Sequence, residues 1–270
     1  MADFRLRDVD GFVFDVDGTL VHRDADGSPR PLPGACEVLE RVRASGRPFV
    51  LFTNASHVRS AAVASGLREG GLPVRDDELL TPIESAVTYL HRYHPHDCVL
   101  LFATDAIRER IAEAGIALAD GADAQVVLVA HVDETSLTAI ETAARAVSSG
   151  APLLTGSYVR GYAGGDGIIF SRGAMVTAAV AKVSGARPKV VGKPSRAAVA
   201  ELRTHFGFPT ERLVVVGDDL GMDIALGRLG GSRTVLVRSG ITGDSGLDRI
   251  PERRRPDAVV DGVADLLDWL

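Results

Sequence analysis

The chain has little of what several protein classes require. Only two of its 270 residues are cysteine, Cys36 and Cys98. They stand far apart with no ligand-like spacing, so a disulfide framework is excluded and reduced thiols in a cytoplasmic protein are expected. Aromatic residues make up 5% of the chain, with a single Trp, too few for a β-sandwich core. No segment reaches 18 uninterrupted apolar residues, and "MADFRLRDVD" at the start has no apolar signal core, so no membrane association is expected. Basic runs are also missing: the densest, "ERRRP" (252–256), is short and lies among acids in a chain of net charge −6. Nucleic acid is therefore not an expected partner.

What remains is a chain that is 46% hydrophobic, rich in Ala, Val, Leu and Gly, and long enough to bury a sizeable core. Short apolar runs alternate with helical patterns. "FVFDV" (12–16), "PFVLFT" (48–53), "LVVVGD" (213–218) and "TVLV" (234–237) read as strands apolar on both faces, the mark of a parallel sheet covered by helices. "SRAAVAELRTHFG" reads as a helix with Ser195 as N-cap and Gly207 as its stop. The middle repeats the theme with "VLLFA" (99–103), "VVLVA" (126–130) and the helix "SLTAIETAARAVSSG" (136–150), which places Leu137, Ile140, Ala144 and Val147 on one stripe. The expected fold class is α/β: a doubly wound, Rossmann-like parallel-sheet core with an inserted smaller α/β domain. The expected boundaries are 1–78 plus 178–270 for the core and 79–177 for the insertion.

Four segments carry chemistry. In "GFVFDVDGTL" an apolar strand runs into Asp15 and Asp17. Strand alternation lets both project to one side, and Gly18 allows a tight turn. Two like charges brought together call for a divalent cation or a shared proton. An EF-hand is excluded, because its Gly and terminal Glu are out of place here. "LFTNAS" sets Thr53 and Asn54 after a strand, where a hydroxyl and amides can hold phosphate oxygens. "VVGKPS" supplies Lys193 without the spacing of a Walker A loop. "VVVGDDLGMDI" ends a strand in Asp218 and Asp219, with Asp223 a turn later. Clusters at strand carboxyl ends, where open α/β sheets bind ligands, combine hard oxygen ligands for Mg²⁺, a nucleophile, an acid and one cation. "HRYHPHDC" offers His91, His94, His96 and Cys98, but Pro95 and the spacing suit no tetrahedral zinc site.

In order, "DVDGTL", "FTN", "GKPS" and "GDDLGMD" resemble the four motifs of the haloacid dehalogenase-like superfamily of phosphatases. "GKPS" followed by "GDDLGMDIALGRLGGSRTVLVRSGIT" is similar to its NagD-like (class IIA) branch, and the insertion resembles a C2-type cap. The resemblance implies a Mg²⁺-dependent phosphomonoester hydrolase acting on a small phosphorylated metabolite, with aryl phosphates as laboratory substrates. Asp15 would be the nucleophile, forming an aspartyl-phosphate intermediate, and Asp17 the acid and base. Asp15, the carbonyl of Asp17 and Asp218 would hold Mg²⁺, and either Asp219 or Asp223 would support it. Thr53 and Asn54 would bind phosphoryl oxygens, and Lys193 would neutralise charge. "TGSY" replaces the branch's usual "TNPD", and a second Asn of the second motif is Ala55 here. Tyr158, Arg160, Tyr162 and Ser171 are the candidates for substrate contact. A homodimer through the cap is the candidate assembly. The alternatives are a phosphotransferase or mutase using the same intermediate, and a non-catalytic phosphometabolite-binding protein.

Overall fold

A computed structural model describes residues 6–164, 167–243 and 250–270. The backbone packs as two units. The residues up to Thr53, Ser60–Leu80 and Glu201–Leu270 form the first; Asn54–Arg59 and Thr81–Ala200 form the second. In chain order, the first opens with β1 (Gly11–Phe14), the hairpin of β2 (Val21–Arg23) and β3 (Pro29–Pro31), α1 (Ala35–Ala44), β4 (Phe49–Phe52), α2 (Ser60–Glu69) and β5 (Leu79–Leu80). The second holds α3 (Pro82–Tyr93), β6 (Val99–Phe102), α4 (Asp105–Glu113), β7 (Leu118–Ala119), β8 (Val126–Val129), α5 (Leu137–Ser148) and β9 (Leu153–Thr155). It continues through β10 (Gly161–Gly164), β11 (Gly167–Phe170), α6 (Arg172–Ser184) and β12 (Lys189–Val190). Helix α7 (Arg196–Phe206) leads back to the first unit and to β13 (Leu213–Gly217), α8 (Ala225–Gly230), β14 (Arg233–Val237) and β15 (Ala258–Val260).

The first sheet has the order β15-β14-β13-β1-β4-β5, and every neighbouring pair is parallel. Strands β1, β4 and β13 are buried along their whole length. Their unbroken apolar runs follow from cover on both faces. Phe12, Phe14, Leu51, Val214 and Val216 pack with Val38, Leu39 and Val42 of α1 and with Leu266. Each such side chain contributes about 1.5–3 kcal/mol by leaving water. Counted along the chain, the strands lie 6-5-4-1-2-3, so the order reverses between β1 and β13. In doubly wound sheets that reversal opens a crevice beyond the strand carboxyl ends.

The second sheet, β12-β9-β8-β6-β7, is also all parallel. Alternate residues of β8 serve its two faces. Val126 and Leu128 pack with Ile83, Leu90 and Ile107, whereas Val127 and Val129 pack with Ala143, Ala146 and Val180. The expected return to the core at 178 falls inside this unit, because α6 lines its core through Val176 and Val180 and β12 pairs with β9. Val191 and Ala197 join its other core face. The expected stripe of α5 also shifts: Ala143, Ala144, Ala146 and Val147 are the buried positions, and Leu137 is 84% exposed. Small alanines suit the helix–helix approach of α5 to α6, and Leu137 stands exposed at the first position of the helix. Ser136 caps α5, accepting from Ala139 N at 3.0 Å. Ser195 accepts from Ala198 N at 3.0 Å, and Gly207 ends α7 with φ 71°. No helix among the described residues is long and apolar enough to cross a membrane.

Candidate active site

Strand β1 ends at Phe14, two residues earlier than the expected strand 12–16, and a tight turn follows. Asp15 N still donates to Val216 O of β13 at 2.9 Å. Val16 O then gathers the amides of Thr19, Leu20 and Val21 at 3.3, 2.9 and 3.0 Å, while Gly18 takes φ 84°. Asp15 and Asp17 therefore stand outside the pleat, and strand alternation no longer governs them. Thr19 Oγ1 donates to Asp15 Oδ2 at 3.2 Å. Asp17 instead pairs its Oδ1 with Arg23 Nε at 2.6 Å, with about half of its side chain exposed (49%).

At the end of the adjacent strand, Asp218 is 6% exposed, and its Oδ2 accepts from Ile241 N at 2.6 Å. Two glycines leave it room. A Cβ on Gly18 would lie 2.5 Å from Asp218 Oδ2, and one on Gly240 would lie 2.5 Å from Asp218 Cβ and overlap its carboxylate. Beyond Asp218 the chain makes a π-type turn, Leu220–Ile224, that runs into α8. Asp219 Oδ1 caps this turn, accepting from Gly221 N at 2.6 Å and Met222 N at 3.2 Å. Asp223 folds back against Gly217, where any Cβ would collide with its carboxyl group. It is 1% exposed, and its Oδ2 accepts from Asp219 N at 3.1 Å.

Asp15, Asp218 and Asp223 thus each offer a carboxylate oxygen, all within 4.8 Å of one another. Of the two acids the sequence left open, the structure brings Asp223 into the cluster and gives Asp219 to a helix cap. Three anionic groups this close, two of them almost wholly buried, repel strongly unless a cation or a proton joins them. Their hard oxygens and their spacing fit a divalent cation such as Mg²⁺.

Two family models match the chain, haloacid dehalogenase-like hydrolase over residues 12–117 and HAD-hydrolase-like over residues 190–266. The chain is a haloacid dehalogenase-like hydrolase. It is 28% identical to the ribonucleotide monophosphatase NagD of Escherichia coli K12, over 94% of this chain and 96% of that one. It is 27% identical to a dihydroxyacetone phosphatase of Corynebacterium glutamicum, over 95% of this chain and 90% of that one. Among solved structures, the p-nitrophenyl phosphatase of Archaeoglobus fulgidus superposes with a TM-score of 0.85 at 27% identity, covering 97% of this chain and all of that one. The fold and the NagD-type branch read from the motifs are those of these proteins.

The other expected residues of this hydrolase are distributed between its units. Thr53, 3% exposed, follows β4 in the first unit, with its amide donating to Leu80 O at 3.2 Å. Asn54 and Lys193 belong to the second unit, where Lys193 is buried. Tyr158 and Arg160 lie there too, both exposed, with Arg160 over the Phe170 ring. Ser171 caps α6, accepting from Ala174 N at 3.2 Å. Tyr162 lies in β10, but its side chain falls outside the described residues. In the histidine cluster, His94 pairs with Asp97 at 2.7 Å and His91 Nε2 meets Ala114 O at 2.8 Å. Thr19, Gly217 and Gly240 went unnoticed in the sequence. A Thr two residues past the second acid and a Gly before an acid are the signals there, and neither is specific without coordinates.

Proposed function

We propose that this hydrolase is a Mg²⁺-dependent phosphomonoesterase for a small phosphorylated metabolite. The observation that carries the reading is the Asp15–Asp218–Asp223 cluster beside the reversal of strand order. The chain is a phosphatase, as its named relatives are. The first unit is the catalytic core, and the second is the cap that covers a bound substrate and excludes bulky ones.

Asp15, Asp218 and Asp223 would hold the cation, and the carbonyl of Asp17 would be a further ligand. When bound, the cation supplies positive charge that offsets the carboxylates and polarises phosphoryl oxygens. Asp15 attacks phosphorus while the ester P–O bond breaks, giving an aspartyl phosphate. The Thr19 hydroxyl on Oδ2 fixes the rotation of the attacking carboxylate. Asp17 gives its proton to the departing alkoxide, then takes one from the water that attacks phosphorus and releases phosphate from Asp15. The Arg23 contact must open for that, which is feasible because an exposed ion pair is worth only about 0.2–1 kcal/mol. Thr53 and the amide of Asn54 hold phosphoryl oxygens, and Lys193 offsets their charge, since a loose phosphoryl transition state depends on position and positive charge. Tyr158 and Arg160 are proposed substrate contacts, and pairing of two copies through the second unit is the proposed assembly. The test is p-nitrophenyl phosphate hydrolysis with and without Mg²⁺. Activity should need the metal and vanish in Asp15→Asn while the fold persists. An Asp15→Asn protein that keeps most of its turnover would overturn the assignment.

A further inference from the structure

The carboxylate cluster creates a difficulty for the acid beside it. Asp17 stands two residues from Asp15, whose oxygen joins those of Asp218 and Asp223 within 4.8 Å. A hard divalent cation fills its remaining places with oxygens, and a carboxylate close by competes with water for one of them. An Asp17 side chain free to turn inward would be drawn onto the cation, where its oxygens could no longer hand over a proton. Something has to hold it outward.

Arg23, at the end of β2, is placed to do so. Its Nε donates to Asp17 Oδ1 at 2.6 Å, and its Nη1 donates to Gly27 O at 3.1 Å. The guanidinium is thus fixed at two points, on the acid and on the turn that joins β2 to β3. That turn is itself ordered: Gly27 N donates to Asp24 O at 2.9 Å, Asp24 N to Ser28 O at 3.0 Å, and Ser28 N to Asp26 Oδ1 at 2.9 Å. Asp24, the next residue, pairs with Arg30 of β3 at 2.5 Å, so the carboxylate nearest to Arg23 in sequence is already taken. The hairpin is also tied to the backbone of the acid. Gly18 N donates to Val21 O at 2.8 Å, Ser239 Oγ donates to Gly18 O at 2.7 Å, and His22 Nε2 meets Ser239 O at 2.9 Å. Arg23 and Asp17 therefore share one hydrogen-bonded frame within the first unit. Their side chains are 41% and 49% exposed. A pair this open biases a side chain by no more than about fivefold, which leaves Asp17 able to depart during turnover.

We infer that Arg23 is a positioning residue that keeps the Asp17 carboxylate off the cation, so that guanidinium and metal are rivals for one side chain. The inference rests on the proposed reading only in taking the three-acid cluster as a Mg²⁺ site. It is tested by isothermal titration of the full-length protein with Mg²⁺ alone, without substrate, so turnover plays no part. Removing the rival should tighten binding: Arg23→Met should lower the Kd for Mg²⁺ about two- to fivefold. Arg23→Lys keeps a positive charge within reach of Asp17 and should bring Kd back towards wild type. Loss of one positive charge by itself also favours a cation, so the control is the Asp17→Asn background. There Arg23→Met should leave Kd unchanged, because the carboxylate that moves is gone. Equal tightening with and without the Asp17 carboxylate, or no tightening when it is present, overturns the inference and leaves the metal reading standing. Wild-type protein that takes up no Mg²⁺ overturns both.

Discussion

Replacing Asp223 with Asn should make the metal-free protein more stable and the metal-bound protein less so. The three carboxylates offer oxygens within 4.8 Å of one another. At that separation, with an effective dielectric of about 20, each charged pair costs about 3.5 kcal/mol. Asp223 enters two such pairs. Proton sharing and the partial exposure of Asp15 relieve much of this, leaving roughly 2 kcal/mol to be gained by neutralising one member. The Asn carbonyl can still accept from Asp219 N, now 3.1 Å from Asp223 Oδ2, so little packing is lost. The assay is thermal unfolding followed by circular dichroism, in EDTA and in millimolar Mg²⁺. In EDTA, Asp223→Asn should raise the transition by about 4–8 °C. Wild type should gain stability from Mg²⁺ by mass action, and the variant should gain far less. Asp219→Asn should do neither, because Asn caps a helix about as well as Asp. A variant less stable than wild type in EDTA that gains equally from Mg²⁺ would refute the reasoning.

Asp17→Asn should slow esters of poorly leaving alcohols much more than p-nitrophenyl phosphate; equal losses, read from kcat on both, would deny it the acid role. Gly240→Ala forces a methyl group into the Asp218 carboxylate. It should cost about 1–3 kcal/mol of stability and about a hundredfold in turnover, checked by denaturant titration and steady-state kinetics. Burial pushes the Cys36 thiol up, with Glu40 adding to the effect. Iodoacetamide at neutral pH should therefore label Cys36 more slowly than free cysteine, as followed by peptide mass spectrometry. Because the folded state disfavours the thiolate, stability from this group is complete below the ordinary thiol range and is lost as pH rises through it.

Much of the fold was legible because fully buried parallel strands leave an unmistakable trace: "FVLF" and "LVVVG" have no polar face at all. The carboxylate cluster of the first unit was legible for a related reason, since acids that follow two neighbouring strands of one parallel sheet meet at its carboxyl edge. Three features were not. The extent of the second unit depends on β12 pairing with β9, a contact between two short segments that no local pattern announces. The choice between Asp219 and Asp223 depends on a π-type turn that makes one a cap and folds the other back over Gly217. The departure of Asp17 from Asp15 comes from β1 ending at Phe14, which frees the two side chains from strand alternation.

Acid quench of the wild-type protein during turnover of p-nitrophenyl phosphate with Mg²⁺, followed by borohydride reduction and peptide mass spectrometry, goes straight to the nucleophile. A phosphoryl group carried by Asp15 predicts homoserine at position 15 and no other reduced acid. An unmodified position 15 in enzyme trapped during steady hydrolysis, or the label on any other residue, would contradict it.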